Sequence, residues 1–450
     1  MTGPAIDTLD SGRKALISRL RTAMDASAML SQLREHWEYA RNHEYKVNDC
    51  ELVRVMPRGS EEFVLEYAVR ASNSEGETII PLFGELVAGD AAERFEEAVT
   101  SLRKARRGQL KDPQAIEGVG LLSELGLIVR LAGLDERIPA LRFVQRPRQV
   151  RELLEPHVAG PGFKLKHVWP ELLGHRLGKR AACRLEYEIK NRELKQRVRG
   201  SLFAKMYKRR STHGSEFAET LTVLANHGFD STSDADVVVP RLVGYFPEWQ
   251  MLVMENVPGT PLAELAGEAF ANGVRMAGRA IARLHDCKLD AERRHGPEDE
   301  VRLLEGWVRL TGEVHNGLRD VTANAMVEVR KALLALDSAP TALVHRDFYE
   351  KQVIIDGERT ALIDFDTLCK ADPAIDLGNF IAHIRLARAK GIAVESGLED
   401  SFLDAYGSTD ADLPRRVEVY TRATILRLVC LYSFWPRWGD VPVRMAEALK

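Results

Sequence analysis

The stretch TALVHRDFYEKQVIIDGERTALIDFD, residues 341–366, places a compact β interlude inside an otherwise helical half of the chain. QVIID and TALIDFD flank a turn at Gly357-Glu358, a pattern that predicts a hairpin. Asp347 ends the run LVHRD and Asp364 ends the run TALID, which predicts two carboxylates at the ends of adjacent strands. Two acids so placed suit phosphoryl transfer. One accepts the proton of an attacking hydroxyl, and the other holds a divalent metal against the phosphates of a nucleotide. Asp347 is therefore the expected base and Asp364 the expected metal ligand. Five residues after Asp347 stands Gln352, whose carbonyl can ligate a cation as an Asn there would, from one methylene further out. Read purely structurally, Asp347 would cap a turn and Asp364 would end a strand.

The same chemistry asks for a strand lysine reaching the nucleotide phosphates and a helix glutamate holding that lysine. Lys205 in GSLFAKMYK alternates with apolar Leu202 and Ala204, as a strand lysine should. The helix SEFAETLTVLA offers Glu216 and Glu219, and Glu219 sits better against Leu221 and Leu224. Met251 to Gly259 is an apolar strand ending in a Pro-Gly breaker. It would serve as a hinge offering the backbone of Glu255 and Val257 to an adenine edge. Ahead of Lys205, residues 173–180 (LGHRLGKR) occupy a hairpin position without the full G-x-G-x-x-G spacing. Its backbone amides, with Lys179 or Arg180, would cover phosphates.

Further upstream the order strand, strand, helix, strand, strand occurs twice. Leu65-Glu66-Tyr67 and Leu185-Glu186-Tyr187 lie 120 apart, as do Phe83 and Phe203. Arg130-Leu131 and Arg241-Leu242 lie 111 apart, as do Leu141 and Leu252. Offsets held across blocks predict a duplicated unit. In the first copy LIVRLAGL and ALRFVQ read as its last strands, and Met56-Pro57-Arg58-Gly59-Ser60 takes the place of the hairpin tip. The first-copy match to Lys205 is Glu85, a charge reversal that would repel phosphates. Residues 10–44 read as an amphipathic helix, with Leu16, Leu20, Met24, Met29, Leu30, Leu33 and Trp37 at roughly helical spacing. The expected domains are a helical segment 1–44, a lysine-free repeat 45–158, a second copy 159–258, and a helical part 259–450 bearing both acidic loops.

Bulk properties narrow the class. A net charge of -3 argues against a nucleic-acid or anionic-membrane surface. No apolar run reaches the ~20 residues of a membrane helix, and the first residues lack the apolar stretch of a secretion signal. The 5 cysteines are scattered without C-x-x-C spacing, so a cytoplasmic location is expected.

The residues FAKMYK, LVMENVPGTPL, RAIARLHD, LVHRDFYEKQVIID, LIDFDTLCKADPAIDLGNF and FLDAY, in this order, resemble the aminoglycoside phosphotransferase and choline kinase superfamily. These are protein-kinase-like small-molecule kinases, and the resemblance spans about residues 160 to 410. The run from Asp347 to Gln352 is similar to a bacterial branch with an Asp-Phe-Tyr-x-x-Gln catalytic loop. In the family, Gly more often follows the catalytic His than the Arg346 found here, and Asp376 would brace the catalytic loop. The resemblance implies an α+β, bilobal kinase-like fold with an additional N-terminal repeat. It implies ATP and Mg²⁺ as cofactors, and a sugar, aminoglycoside or amino alcohol as hydroxyl acceptor. A polycationic acceptor would want acids near the cleft. The acid-rich stretches 298–306 and 398–413 read instead as solvated helix ends. Trp307, Trp435 and Trp438 would form an aromatic wall for a quaternary ammonium or sugar, or simply pack. The competing expectation is a kinase-fold regulator or scaffold that binds nucleotide, with the first repeat contacting a protein partner or a second copy.

Overall fold

The computed structural model describes residues 11–59, 61–106, 118–336, 340–392 and 394–449. The first ten residues, Ser60 of the first hairpin tip and Lys450 lie outside the described residues. Two compact units are present. One comprises Met1–Leu141, His175–Lys179 and Tyr432–Gly439; the other comprises Arg142–Gly174, Arg180–Leu431 and Asp440–Lys450.

The first unit opens with α1 (Ser11–Met24), α2 (Ala26–His36) and α3 (Glu38–Asn42). The single helix predicted for 10–44 is thus three. Asp25 and Trp37 adopt extended backbone, and the Asp25 carboxylate accepts the Ala28 amide at 2.8 Å as an N-cap. Of the predicted apolar residues, Met24 and Leu30 are half-buried, while Leu16, Leu20, Met29, Leu33 and Trp37 are buried. They cover an antiparallel sheet of β1 (Lys46–Arg58), β2 (Glu62–Asn73), β3 (Gly76–Val87), β4 (Val119–Leu122) and β5 (Leu127–Leu131). Its order is β1-β2-β3-β5-β4, with α4 (Ala91–Arg106) between β3 and β4. LIVRL is β5 as predicted, whereas ALRFVQ is not a strand. It lies in helix α5 (Pro139–Val144), followed by α6 (Pro147–Val158). Short apolar runs carry no period that separates strand from helix, and Pro139 presets the backbone angle of a first helical turn.

The second unit holds β6 (Phe163–Arg176), β7 (Arg180–Asn191), β8 (Gln196–Tyr207), α7 (His213–Leu224), β9 (Val237–Val238), β10 (Leu242–Phe246) and β11 (Met251–Glu255). Sheet order β6-β7-β8-β11-β10 repeats that of the first unit strand for strand. Lys205 pairs across to Leu252 of β11, and Glu85 to Ile128 of β5. The matching offsets are therefore 120 (205 − 85) and 124 (252 − 128). The predicted offset of 111 is corrected: it set Arg130, on β5, against Arg241, which precedes β10.

The remainder is mainly helical, with β12 (Thr260–Pro261), α8 (Gly267–His285), α9 (Pro297–Val314) and α10 (Arg319–Leu334). The β interlude supplies β13 (Ala342–Val344), β14 (Val353–Asp356), β15 (Arg359–Leu362) and β16 (Cys369–Ala371). Then come α11 (Ala374–Ala389), α12 (Leu398–Tyr406), α13 (Leu413–Ser433) and α14 (Val441–Glu447). No helix of the described residues is long and apolar enough to cross a membrane. The antiparallel sheet leading into helices bears out the α+β expectation.

Glu85, the charge-reversed residue, is 4% exposed and is bonded by Arg130 at 2.5 Å, Arg137 at 3.0 Å and Arg58 at 3.1 Å. Burial alone would raise its carboxyl, but the three guanidinium groups outweigh that and hold it below its ordinary value. Arg58 also donates to the Leu177 carbonyl at 2.5 Å. Buried Asp135 accepts from Arg137 at 3.0 Å and from the Gly178 amide at 2.5 Å, and lies 3.2 Å from His175 Nε2. Gly178, at φ +68°, has Arg137 and Arg58 where a Cβ would stand. Residues 175–179 are thus bound into the first unit by the arginines that gather on Glu85.

Restoring the lysine by Glu85→Lys would set an ammonium among three guanidinium groups, that of Arg130 buried and those of Arg58 and Arg137 half-buried. A loss of ~3–5 kcal/mol is expected from urea denaturation of the full chain, the range for breaking a buried ion cluster. Glu85→Gln should lose less.

Candidate active site

His345-Arg346-Asp347 leaves β13, and β13 pairs with β16. Asp364 leaves β15, which lies in a separate sheet of order β12-β14-β15-β9. The expectation of adjacent strands is therefore corrected: the two acids end strands of different small sheets. Side chains join them instead. Buried His345 lies with Nε2 2.8 Å from the Ile363 carbonyl, and the Thr367 hydroxyl donates to the His345 carbonyl at 2.8 Å. The Asp347 amide donates to His345 Nδ1 at 3.4 Å, so the Nε2–H tautomer serves both contacts. The predicted hairpin is present, with Val353 opposite Leu362 and Asp356 opposite Arg359.

Asp376, wholly buried near the start of α11, holds the catalytic loop. It accepts the His345 and Arg346 amides at 2.7 Å each and lies 3.0 Å from His285 Nε2. Asn379 adds a bond to the Phe348 carbonyl at 2.7 Å and receives Arg427 at 2.5 Å. Under this grip Arg346 adopts φ +66°. Glycine takes that conformation freely, whereas a side chain there costs on the order of 1 kcal/mol. The Asp347 carboxylate makes no hydrogen bond or ion pair among the described residues.

Asp364, also left-handed at φ +66°, faces Lys205 at 2.5 Å. Lys205 Nζ lies 3.1 Å from Asp366 as well, and 4.4 Å from the centre of the Phe217 ring. Asp366 further accepts the Tyr207 hydroxyl at 3.0 Å and pairs with Arg180. Two carboxylates and two cations thus neutralise one another in a compact group drawn from β7, β8 and the turn after β15. Burial would raise the Asp364 carboxyl, but Lys205 and Arg180 more than offset it and hold it low. Gln352 is buried, and its backbone carbonyl accepts the Ile363 amide at 3.1 Å, one residue before Asp364. No group of three or more acidic, His or Cys side chains suited to a metal occurs among the described residues. A pair of carboxylates still fits Mg²⁺, which keeps waters and takes its other ligands from phosphate.

The other predicted positions divide. Glu255 ends β11, donates its amide to the Arg241 carbonyl at 2.9 Å and accepts Ser231 at 2.9 Å. Val257 follows just past the strand. Lys179 belongs to the first unit, and the cation of that hairpin that joins Asp366 is Arg180. The pairing of Glu219 with Lys205 is overturned: Glu219 is exposed, and the lysine takes its carboxylates from the 364–366 turn. Glu216 has a different tie, to Arg293, which also donates to the Asp366 carbonyl at 3.0 Å. Asp366 and Arg293 were not singled out from sequence. The D-x-D spacing signalled the first, and nothing local signals the second. Trp435 and Trp438 gather on Tyr432 in the first unit, and Trp307 lies on α9 of the second.

Beside the catalytic loop, the ring of His383 of α11 lies against Tyr349, tilted by 30° with ring centres 4.3 Å apart, and is 3.7 Å from Glu350. At neutral pH this is no ion pair. Burial first, then Arg427, Lys390 and Lys351, holds the imidazole down to about 3 from its ordinary 6.5, and burial raises Glu350. A depressed folded value means that the unfolded chain takes up the proton first. The stability His383 contributes is whole above about 6.5 and is lost as pH falls toward 3. The unfolding free energy should drop through that window, by at most ~1.4 kcal/mol per pH unit from this group, with the melting temperature falling accordingly, and His383→Gln should flatten the slope.

Residues 189–420, which are 232 (420 − 189 + 1) of the 450, match the pattern of the phosphotransferase enzyme family. Among solved structures the chain is similar to a choline/ethanolamine kinase family protein from Mesorhizobium loti, at 18% identity and TM-score 0.45, over 67% of this chain and 94% of that one. It is similar to a choline kinase from Streptococcus pneumoniae at 14% identity and TM-score 0.45, over 68% and 97%. A spectinomycin phosphotransferase matches at 13% identity and TM-score 0.45, over 66% and 89%. No curated protein matches the chain.

Proposed function

The chain belongs to the phosphotransferase enzyme family and is a small-molecule kinase; from that premise we propose that it uses ATP and Mg²⁺ and transfers the γ-phosphoryl group to a hydroxyl of a sugar, aminoglycoside or amino alcohol. The observation that carries this reading is the group of Lys205, Arg180, Asp364 and Asp366, assembled from distant segments. Its internal ion pairs exchange for nucleotide without leaving an unpaired buried charge. Lys205 and Arg180 turn to the phosphates, while Asp364 and Asp366, with Gln352, hold the metal. The metal supplies charge neutralisation on the transferred group. The Glu255 carbonyl and Val257 amide are the edge offered to adenine, and Lys179 stays a candidate phosphate contact only through its hairpin.

The unbonded Asp347 carboxylate takes the proton of the acceptor hydroxyl as its oxygen attacks the γ-phosphorus. The bond from that phosphorus to the bridging oxygen breaks, and ADP leaves with the electron pair. Asp376 and Asn379 keep that carboxylate in place by fixing the backbone on either side of it. On the acceptor side, most acids that would greet a polycation are answered internally. Asp299 pairs with Arg302, Glu305 with Arg330, Glu399 with Arg385 and Arg388, and Asp410 with Arg416. This favours the sugar-like members of the proposed set.

Asp347→Asn should lower kcat by ~10²–10⁴-fold while the affinity for Mg·ATP changes little. Transfer of labelled phosphate to a panel of sugars, aminoglycosides and amino alcohols measures the first, and calorimetric titration the second. Full activity in the variant would remove the proposal; nucleotide binding without turnover across the panel would favour a nucleotide-binding scaffold.

A further inference from the structure

Arg346 stands at φ +66°, where a glycine would fit without strain, and its backbone amide is all that Asp376 uses. Holding the loop therefore requires no side chain at this position. The guanidinium is half-buried and enters no hydrogen bond or ion pair among the described residues. Arg346 is the residue immediately before Asp347. Its charge is felt by buried Glu300 of α9 and by Cys369 of β16, whereas the cations beside Asp364 are Lys205 and Arg180. Glu300 already has its own partner, His295, at 2.9 Å, and a second guanidinium, Arg427, acts on it too. Glu300 thus has a hydrogen-bond partner of its own, and Arg346 forms no ion pair with it.

We infer that the acceptor carries an anionic group, a carboxylate or phosphate a few bonds from the reacting hydroxyl, and that Arg346 binds it. The inference rests on the phosphotransferase reading and narrows its acceptor to hydroxylated anions such as sugar phosphates and sugar acids. A guanidinium fork matches either oxyanion in two parallel bonds. It would also orient the acceptor, with its hydroxyl toward Asp347.

Titration calorimetry on the full chain, with Mg²⁺ and a non-hydrolysable ATP analogue, tests this with four named probes: glucose, glucosamine, glucose 6-phosphate and gluconate. At least one anionic probe should bind tenfold or more tighter than glucose and glucosamine. Arg346→Gly should erase that preference, Arg346→Lys should keep part of it, and both should bind the ATP analogue as the parent does. Thermal melts of the two variants confirm folding, and relief of backbone strain should leave Arg346→Gly no less stable. Three results would each overturn the inference: equal or tighter binding of glucose or glucosamine, no binding of either anion, or an anion preference that survives Arg346→Gly. Loss of ATP-analogue binding by the parent chain would strike the phosphotransferase reading itself, a failure separable from the others.

Discussion

One buried carboxylate organises the catalytic half. Asp376 has no exposure, and it accepts two consecutive backbone amides and faces a histidine ring. A carboxylate is an acceptor with room for several donors, so a single side chain can fix a turn that no ladder supports. β13 is only three residues long and pairs away from the strand that carries Asp364. Without Asp376, nothing in the sheets would dictate where Asp347 points. The left-handed backbone at Arg346 is a consequence, since amides of neighbouring residues converge on one carboxylate only if the chain turns sharply between them.

The cation group shows a second constraint. Lys205, Arg180, Asp364 and Asp366 balance in charge, and their partly buried setting makes each pair sensitive to the loss of any member. A nucleotide bearing phosphates and a metal preserves that balance when it enters. The duplicated sheet of the first unit solves a related problem with opposite signs. Glu85 stands at the position of Lys205 in an identical strand order and gathers three arginines. The same strand position thus gathers cations around Glu85 in one sheet and anions around Lys205 in the other.

Much of this was legible beforehand. The hairpin between Val353 and Leu362, the strand lysine, and Asp364 all announce themselves through period-two patterning and turn residues, which are local properties. Glu219 was chosen over Glu216 for its place among apolar neighbours. That argument concerned one helix alone, whereas Glu216's tie is to Arg293, 77 residues away. The run ALRFVQ at 140–145 reads as a strand because six apolar-rich residues are too few to show a period, and most of it lies in a helix.

By itself the sequence determined most element types, the charge reversal at Glu85, and the chemistry available at Asp347, Asp364, Gln352 and Lys205, because propensity, alternation and side-chain type act within a few residues of chain. Only the tertiary structure decided that Lys205 meets Asp364 and Asp366, that Arg180 is the hairpin cation in that group, and that Arg346 is strained and unpaired. Those outcomes depend on which distant segments pack together and on where burial makes an unpaired charge costly. Neither condition is written at any single position in the chain.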